Sequence, residues 1–498
     1  MAVIASVSGL NVAQSQIALA FDASQSDVLW MINIYTIILA ALLLPLGAAG
    51  DRWGRKPVLI TGLVVFGVAS AAAGLATTTG VMLAARFLSG VGAAMIMPVT
   101  LAVITSTFPA EERSKAIGVW TAVAGASAIL GMFVSAVLVD VASWRLLFVL
   151  PVVLVLLAIP IALGAIPNSR EVSEHKFDLV GALTSLIAVV AFILVLHEGP
   201  KQGWTTPATL LSLLVGVGGA IGFVMWELRQ QTPLLDVRLF RKRGLASGSV
   251  SLLAVFGVPT GVFVVLYPYF QAVLGWSSLV STLALMPMLV LMVACSVLAP
   301  RLAARIGVRL TMAAGIFLGG AGLALMAILV SVDGGYLSVL PGYVVMGLGM
   351  GLAMTPSTEA ITSSLPREQQ GVASALNDVA REFGSALGVA LLGEVMTAGY
   401  SNAINSRLEG VPVDSADIAR KGIASALAIA NQDHPYSKAL FRSAQESFVH
   451  GWQQAMWAGV ENLLVPRSRT ASEFPPTLVC SRMATGWAFS GTNPENRS

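Results

Sequence analysis

Stretches of about twenty apolar residues, separated by short charged loops, recur along most of this chain. A helix rises about 1.5 Å per residue, so roughly 20 residues cross a ~30 Å hydrocarbon layer with every backbone hydrogen bond closed inside the segment. Bounding the runs by their flanking charges places spans at 29–50, 57–78, 80–106, 114–140, 146–166, 178–197, 207–228, 245–274, 278–300, 308–331, 336–362 and 370–398. A weaker run at 1–21, interrupted by Asn11, Gln14 and Gln16, is read as the inner part of a first span whose beginning is missing, and is counted as span 1. The composition, 56% hydrophobic and 11% charged, leaves too few polar side chains to cover a soluble surface. The small net charge of +3 gives no reason to expect a nucleic-acid partner. The two cysteines, Cys295 and Cys480, form no redox or metal motif, and residues 1–21 lack the basic start of a cleavable signal.

The basic residues give the orientation. Loops after even-numbered spans hold 16 Lys/Arg, among them Arg52, Arg113, Arg170, Lys176, Arg241, Arg305 and Arg367, whereas the short loops on the other side hold only Arg145 and Lys201. That asymmetry places the even loops and the N-terminus in the cytoplasm. The expected location is therefore the plasma membrane, as a multi-pass protein.

The chain also repeats itself. Gly90-Val-Gly92, then Pro98, then Phe108-Pro109-Ala-Glu111 has a counterpart 257 residues on in Gly347-Leu-Gly349, Pro356 and Leu365-Pro366-Arg-Glu368. A fainter echo pairs Asp51-Arg52-Trp-Gly54 with Ala304-Arg305-Ile-Gly307, 253 residues on. The offset maps span 4 onto span 12, which implies two six-span halves with spans 7 and 8 inserted between them.

These residues carry a resemblance. Gly47-Ala-Ala-Gly50-Asp51-Arg52-Trp-Gly54-Arg55-Lys56 is similar to the signature loop of the major facilitator superfamily, and Leu83-Ala-Ala-Arg86 through Gly90-Val-Gly92-Ala-Ala94 to its span-4 motif. Trp144-Arg145-Leu-Leu-Phe148, Pro233 through Phe240, and Thr358-Glu359 through Asn377-Asp378-Val-Ala-Arg381-Glu382-Phe-Gly384 resemble its 14-span drug:proton antiporter branch. The chain departs from that pattern at Ser6, where the branch carries Asp, and at Gly131-Met132-Phe-Val-Ser135-Ala136, in place of a Gly-Pro and paired glycines. The resemblance implies an all-α integral membrane fold, with two six-helix pseudo-repeat bundles plus two inserted linker helices. The expected division is 1–166 for the N-terminal bundle, 167–243 for the linker spans, 244–398 for the C-terminal bundle, 399–447 for an extracytoplasmic loop, and 448–498 for a degenerate last span and disordered tail. In 448–465 the polar His450, Gln453, Gln454, Glu461 and Asn462 leave too few apolar residues for a span.

Several residues are candidates for chemistry. Gly47, Gly50, Asp51, Arg52, Gly54, Arg55 and Lys56 form a charged turn, read either as a latch between transport states or as ordinary positive-inside anchoring. Arg86 lies about six residues, ~9 Å, into span 4, where an arginine is paired, lines a wet cavity, or snorkels. In span 13, Ser374, Asn377, Asp378, Arg381, Glu382 and Ser385 share one arc of the helix, expected to face a central cavity. Asp378 and Glu382, at i,i+4, are candidates for proton coupling, against a structural Asp378–Arg381 pair. Glu359 is a second coupling candidate. Asn33, Tyr267, Tyr269 and Met286, with Phe270, Met288 and Met292, are candidates for a hydrophobic drug pocket, or for packing.

The expected function is export of hydrophobic or cationic drugs in exchange for protons. The proton gradient would be the only energy source, with no cofactor or metal, and the protein would act as a monomer. An importer of the same superfamily and a transport-inactive truncated remnant remain alternatives. No Gly-x4-Gly-Lys-[Ser/Thr], His-Glu-x-x-His or Gly-x-Ser-x-Gly motif is present, so no enzyme is expected.

Overall fold

The computed structural model describes residues 2–3, 6, 10, 13–141, 143–167, 177–408, 411–420, 422–430 and 436–464. Asn11, Arg170, Lys176 and the tail from 465 to 498 lie outside the described residues.

The helices are α1 (Gln14–Phe21), α2 (Gln25–Trp53), α3 (Arg55–Gly74), α4 (Thr79–Thr107), α5 (Ala110–Val141), α6 (Val149–Ala165), α7 (Leu179–Gln202) and α8 (Pro207–Glu227). They continue with α9 (Arg243–Pro268), α10 (Met286–Ile306), α11 (Val308–Leu329), α12 (Gly335–Thr362), α13 (Gln370–Asn405) and α14 (Ser437–Leu464). Among the described residues, 11 helices are long and apolar enough to cross a membrane. Their outer faces carry bare aliphatic side chains such as Leu157, Ile161, Leu211 and Leu214, a surface that suits lipid and not water. Local chemistry sets the ends. Ser24 and Asp27 form a capping box at the start of α2, and Thr78 accepts from the Val81 N–H at the start of α4.

The internal repeat is a repeat of contacts. A Cβ on Gly90 would lie 2.8 Å from the Tyr35 carbonyl on α2, and one on Gly92 would lie 2.7 Å from the Phe66 nitrogen on α3. Their counterparts behave alike: Gly347 meets the Met288 carbonyl of α10 at 2.7 Å, and Gly349 meets the Gly319 nitrogen of α11 at 2.5 Å. Small residues thus let α4 and α12 each pack against two neighbours at backbone distance. The fainter echo holds too, because Gly54 and Gly307 both adopt positive φ, 108° and 90°, at equivalent turns.

The same pairing joins the halves. α2 packs on α13, and α10 packs on α5, contacts that the eight-helix offset exchanges. α7 lies outside both bundles, against α2 and α13 through Ile37, Ala40, Ala41, Val189 and Ile193, and α8 packs on α7. An apolar cluster, including Leu43, Leu44 and Val99 with Ile361, Val372 and Leu376, closes the end of the molecule that carries Arg55, Lys242 and Arg367, hereafter the basic end.

Residues 448–464 belong to an ordered helix that is not among the 11 long and apolar enough to cross a membrane. α14 begins at Ser437, ahead of that window, and buries Phe448, Val449, Trp452, Ala455 and Met456 against α11 and α13. Its amides find partners inside the protein: Gln445 Nε2 donates to the Val273 carbonyl at 3.0 Å and Gln453 Nε2 to that of Val330 at 3.2 Å. The loop expected over 399–447 is also shorter, since α13 continues to Asn405 and two short helices, Val413–Arg420 and Ile423–Ala430, pack between it and α14.

Candidate functional site

The signature turn closes the basic end. Asp51, buried at the end of α2, accepts from the N–H groups of Gly371 (2.9 and 2.8 Å) and Val372 (3.1 Å) at the start of α13. These are donors a helix leaves unsatisfied in its first turn, and the helix dipole favours a carboxylate there. Arg55 caps the same carboxylate through Nε at 3.1 Å and Nη2 at 2.7 Å, and Nη2 also donates to the Arg367 carbonyl at 3.1 Å. Lys56 donates to the Leu163 carbonyl at 2.6 Å, pinning the turn to the end of α6. Gly50 faces Val99, and a Cβ on Gly47 would lie 2.6 Å from the Gly371 carbonyl. Arg52 borders a groove of about 400 Å³ beside the turn, shared with Phe177, Asp178 and Thr232. Glu359 accepts a short hydrogen bond from Ser114 of α5, so it ties α12 to the opposite half near the same end.

A central cavity of about 360 Å³ lies between the halves. Its wall is mostly methionine, aliphatic and aromatic: Met97, Met288, Met292 and Met354, with Phe256, Phe263, Tyr343 and Leu39. Arg381, Glu382 and Ser385 of α13 supply its charge and polarity, and Thr260 donates to Ser385 across to α9 at 3.3 Å. The Arg381 guanidinium stacks over Phe256 (4.4 Å) and reaches toward Trp120 (5.5 Å), one aromatic from each half. It also stands 3.6 Å from Asp378.

Only part of the polar arc read from span 13 faces this cavity. Ser374, Asn377 and Asp378 are fully buried, and Asn377 Nδ2 donates to Asp378 at 3.2 Å. The reason is the crossing of α2 and α13 at Gly47 and Gly371, which shuts the following two turns into the helix seam. Arg86 is likewise fully enclosed and does not border the cavity; it donates to the Met31 carbonyl and Ser6 Oγ, both at 3.1 Å.

The pocket candidates are mostly placed elsewhere. Asn33 borders a separate groove between α2 and α7 with Trp30, His197 and Lys201. Tyr269 is a core residue whose hydroxyl donates to the Ser331 carbonyl at 3.0 Å, and Tyr267 stacks on Phe263. Met286 is off the lining, because the cavity-facing stripe of α10 follows Met288 and Met292 at i,i+4. Sequence reasoning missed Gly371 and Gln370. Gln370 Nε2 donates to the Thr362, Leu365 and Pro366 carbonyls at 2.9, 3.1 and 3.1 Å, sealing the end of α12. A helix-start glycine facing an acidic turn far away in sequence leaves no local signal.

Two pseudo-equivalent six-helix bundles around a cavity at their interface define a secondary transporter architecture. The chain belongs to the Major Facilitator Superfamily, whose family model matches residues 1–389, and it is a multi-pass membrane protein. It is 30% identical to the multidrug resistance protein Stp of Mycobacterium tuberculosis over 401 residues, covering 80% of this chain and 74% of Stp. It is 29% identical to the methyl viologen resistance protein SmvA of Salmonella typhimurium over 465 residues, 92% of each chain. Among solved structures, the human organic anion transporter MFSD10 superposes with a TM-score of 0.58 at 14% identity, covering 93% of this chain and 97% of that one, a likeness of fold.

Proposed function

We propose that this protein exports hydrophobic and cationic drugs across the plasma membrane in exchange for protons, with its basic end and N-terminus in the cytoplasm. The observation that carries the reading is Glu382, a carboxylate set among methionines and aromatics in the central cavity. Such a wall adapts to varied apolar shapes, and one acid among them attracts a cation. The similarity to proteins named for multidrug and methyl viologen resistance supports the same substrate class.

Coupling follows from competition for one carboxylate. Protonated Glu382 is neutral and has no electrostatic hold on a cationic drug, whereas ionised Glu382 does. Arg381, stacked on Phe256 and held near Asp378, is kept from forming a permanent pair with it. The Asp51–Gly371 and Ser114–Glu359 contacts would hold the cytoplasmic side shut in this state and part when the protein opens inward. The cycle needs no covalent step, cofactor or metal, so the protein acts as a carrier and not as an enzyme, and one chain contains the whole pathway.

Cells expressing the chain should extrude ethidium against its gradient, and a protonophore should stop them. Glu382→Gln should abolish energised efflux, and ethidium should bind the purified protein more weakly and without dependence on pH, held by the apolar wall alone. Efflux that survives collapse of the proton gradient, or that persists in Glu382→Gln, would sink this reading.

A further inference from the structure

Arg86 is a cation sealed in the protein with no anion beside it. It is 0% exposed, and its helix neighbours Met82 and Ala85 are buried in one apolar cluster with Leu10 and Met31. Its Nε donates to the Met31 carbonyl and its Nη1 to Ser6 Oγ, both at 3.1 Å, and the Tyr35 ring lies 4.3 Å below the guanidinium. Nη2 has no hydrogen-bond partner. Among the described residues, no carboxylate lies within ion-pair distance of it. The sequence closes off the nearest source, because residues 1–21, which reach the guanidinium through Ser6, contain neither Asp nor Glu.

Arginine does not escape this situation by losing its proton. A lone charge shielded from water is among the costliest groups to bury, and carbonyl dipoles with one aromatic face offset only part of that cost. The donors left over point to what completes the site. Both N–H groups of Nη2 are free, and the Ser6 hydroxyl, having accepted from Nη1, still has its own proton to donate. That set of donors fits a small, singly charged inorganic anion. A carried organic anion fits poorly, since neither Arg86 nor Ser6 borders the central cavity.

We propose that Arg86 and Ser6 bind a halide, chloride under ordinary conditions, as a resident counter-charge that fastens Ser6, which precedes α1, to α2 and α4. The site is independent of what the transporter carries.

The test is thermal unfolding of the full-length purified protein against sodium chloride, with ionic strength held constant by sodium gluconate. Chloride should raise the unfolding midpoint saturably by a few degrees, and bromide should replace it. Ser6→Asp supplies a carboxylate to the guanidinium. It should raise the midpoint in gluconate and flatten the chloride response. Ser6→Ala removes one donor and keeps the cation, so half-saturation should move to several-fold higher chloride. A wild-type midpoint indifferent to chloride overturns the proposal, as does a full chloride shift retained in Ser6→Asp. If Ser6→Asp does not fold, an unchanged half-saturation in Ser6→Ala overturns it equally.

Discussion

The carboxylate of Asp51 accepts from the N–H groups of Gly371 and Val372 in the first turn of α13, with Gly371 lying 320 residues away in sequence. A side chain at the end of one half therefore caps a helix of the other. Arg55 shares the carboxylate, so the charge is balanced within the seam and not by solvent. The contact needs a missing Cβ on both sides. A methyl on Gly371 would run into the Gly47 carbonyl and lie 2.7 Å from Asp51 Cγ.

Asp51→Asn keeps the shape of that cap but removes the charge that the helix terminus favours, a loss of about 1–2 kcal/mol. Because ~1.4 kcal/mol is tenfold in a two-state equilibrium, the basic end should open roughly tenfold more often. A cysteine placed at Leu376, in the apolar seal, should then react about tenfold faster with a water-borne maleimide. Gly371→Ala should produce at least as large an effect. Unchanged labelling in both would mean that the cap does not set the opening equilibrium.

The C-terminal bundle has its own point of closest approach. A Cβ on Gly388 of α13 would fall on the Gly257 carbonyl of α9, and one on Gly261 would lie 2.5 Å from the Gly388 carbonyl. Both sides are backbone, so no side-chain rotation relieves the clash. Gly388→Val should therefore separate α9 from α13, on the cavity side that carries Phe256 and Thr260, costing at least 2–3 kcal/mol as overpacking does. Fluorescence-detected gel filtration after a heat step should show a lowered midpoint, whereas Gly393→Ala, which has open space around its Cβ, should not.

What the sequence made legible follows from the range of each signal. The paired glycines, the basic turns and the apolar runs are local patterns, and each one fell where the three-dimensional repeat needs it. The cavity was legible only at Arg381, Glu382, Ser385, Met288 and Met292, because a helix arc shows which residues share a face but not how far that face is covered. Asn377 and Asp378 lie on the same arc as Glu382, yet the α2 crossing buries them. The packing of α14 was not legible because its polar groups find distant partners: Gln445 donates to the Val273 carbonyl, Trp452 to Met326 of α11 and Gln453 to Val330, partners that no window of sequence displays. Tyr269 reads as an aromatic in a span, and only its contact with Trp452 shows that it is core.

Opposite the basic end, Arg442 at the start of α14 grips Asp333, in the loop between α11 and α12, through two hydrogen bonds of 2.7 Å. Those bonds hold the Asp333 carboxyl below the usual carboxylate range. A depressed value means that the contact adds stability above the unfolded carboxyl's ordinary pKa of ~4, and that this contribution is lost as pH falls through the lower folded value. Asp333→Asn should accordingly lower the unfolding midpoint at pH 7, and the gap from wild type should narrow below about pH 4. High salt should shrink it as well, because both partners are exposed. A difference that stays constant across that pH range would assign the effect to something other than the carboxylate.

Trp452 decides whether α14 belongs to the bundle or merely rests on it. The indole is fully buried, its Nε1 donates to the Met326 carbonyl on α11 at 3.3 Å, and its ring meets Tyr269 at 5.4 Å. Next to it, a Cβ on Gly451 would lie 2.7 Å from the Met396 carbonyl of α13, so α14 is seated at backbone distance on a second helix. Truncating such a side chain removes a large apolar contact and leaves a cavity that rigid neighbours fill only in part, at a cost of about 3–5 kcal/mol. Trp452→Ala should therefore lower the unfolding midpoint of the whole protein, not simply free the C-terminal helix. Trp457→Ala, at a half-exposed position five residues on, should be close to neutral. Limited proteolysis separates the two outcomes. If α14 is part of the folding unit, wild type resists cleavage between 437 and 464 while Trp452→Ala is cut throughout the chain near its lowered midpoint. Cleavage confined to 437–464 in Trp452→Ala, with the midpoint of the remaining helices unchanged, would show that the rest of the protein folds without it.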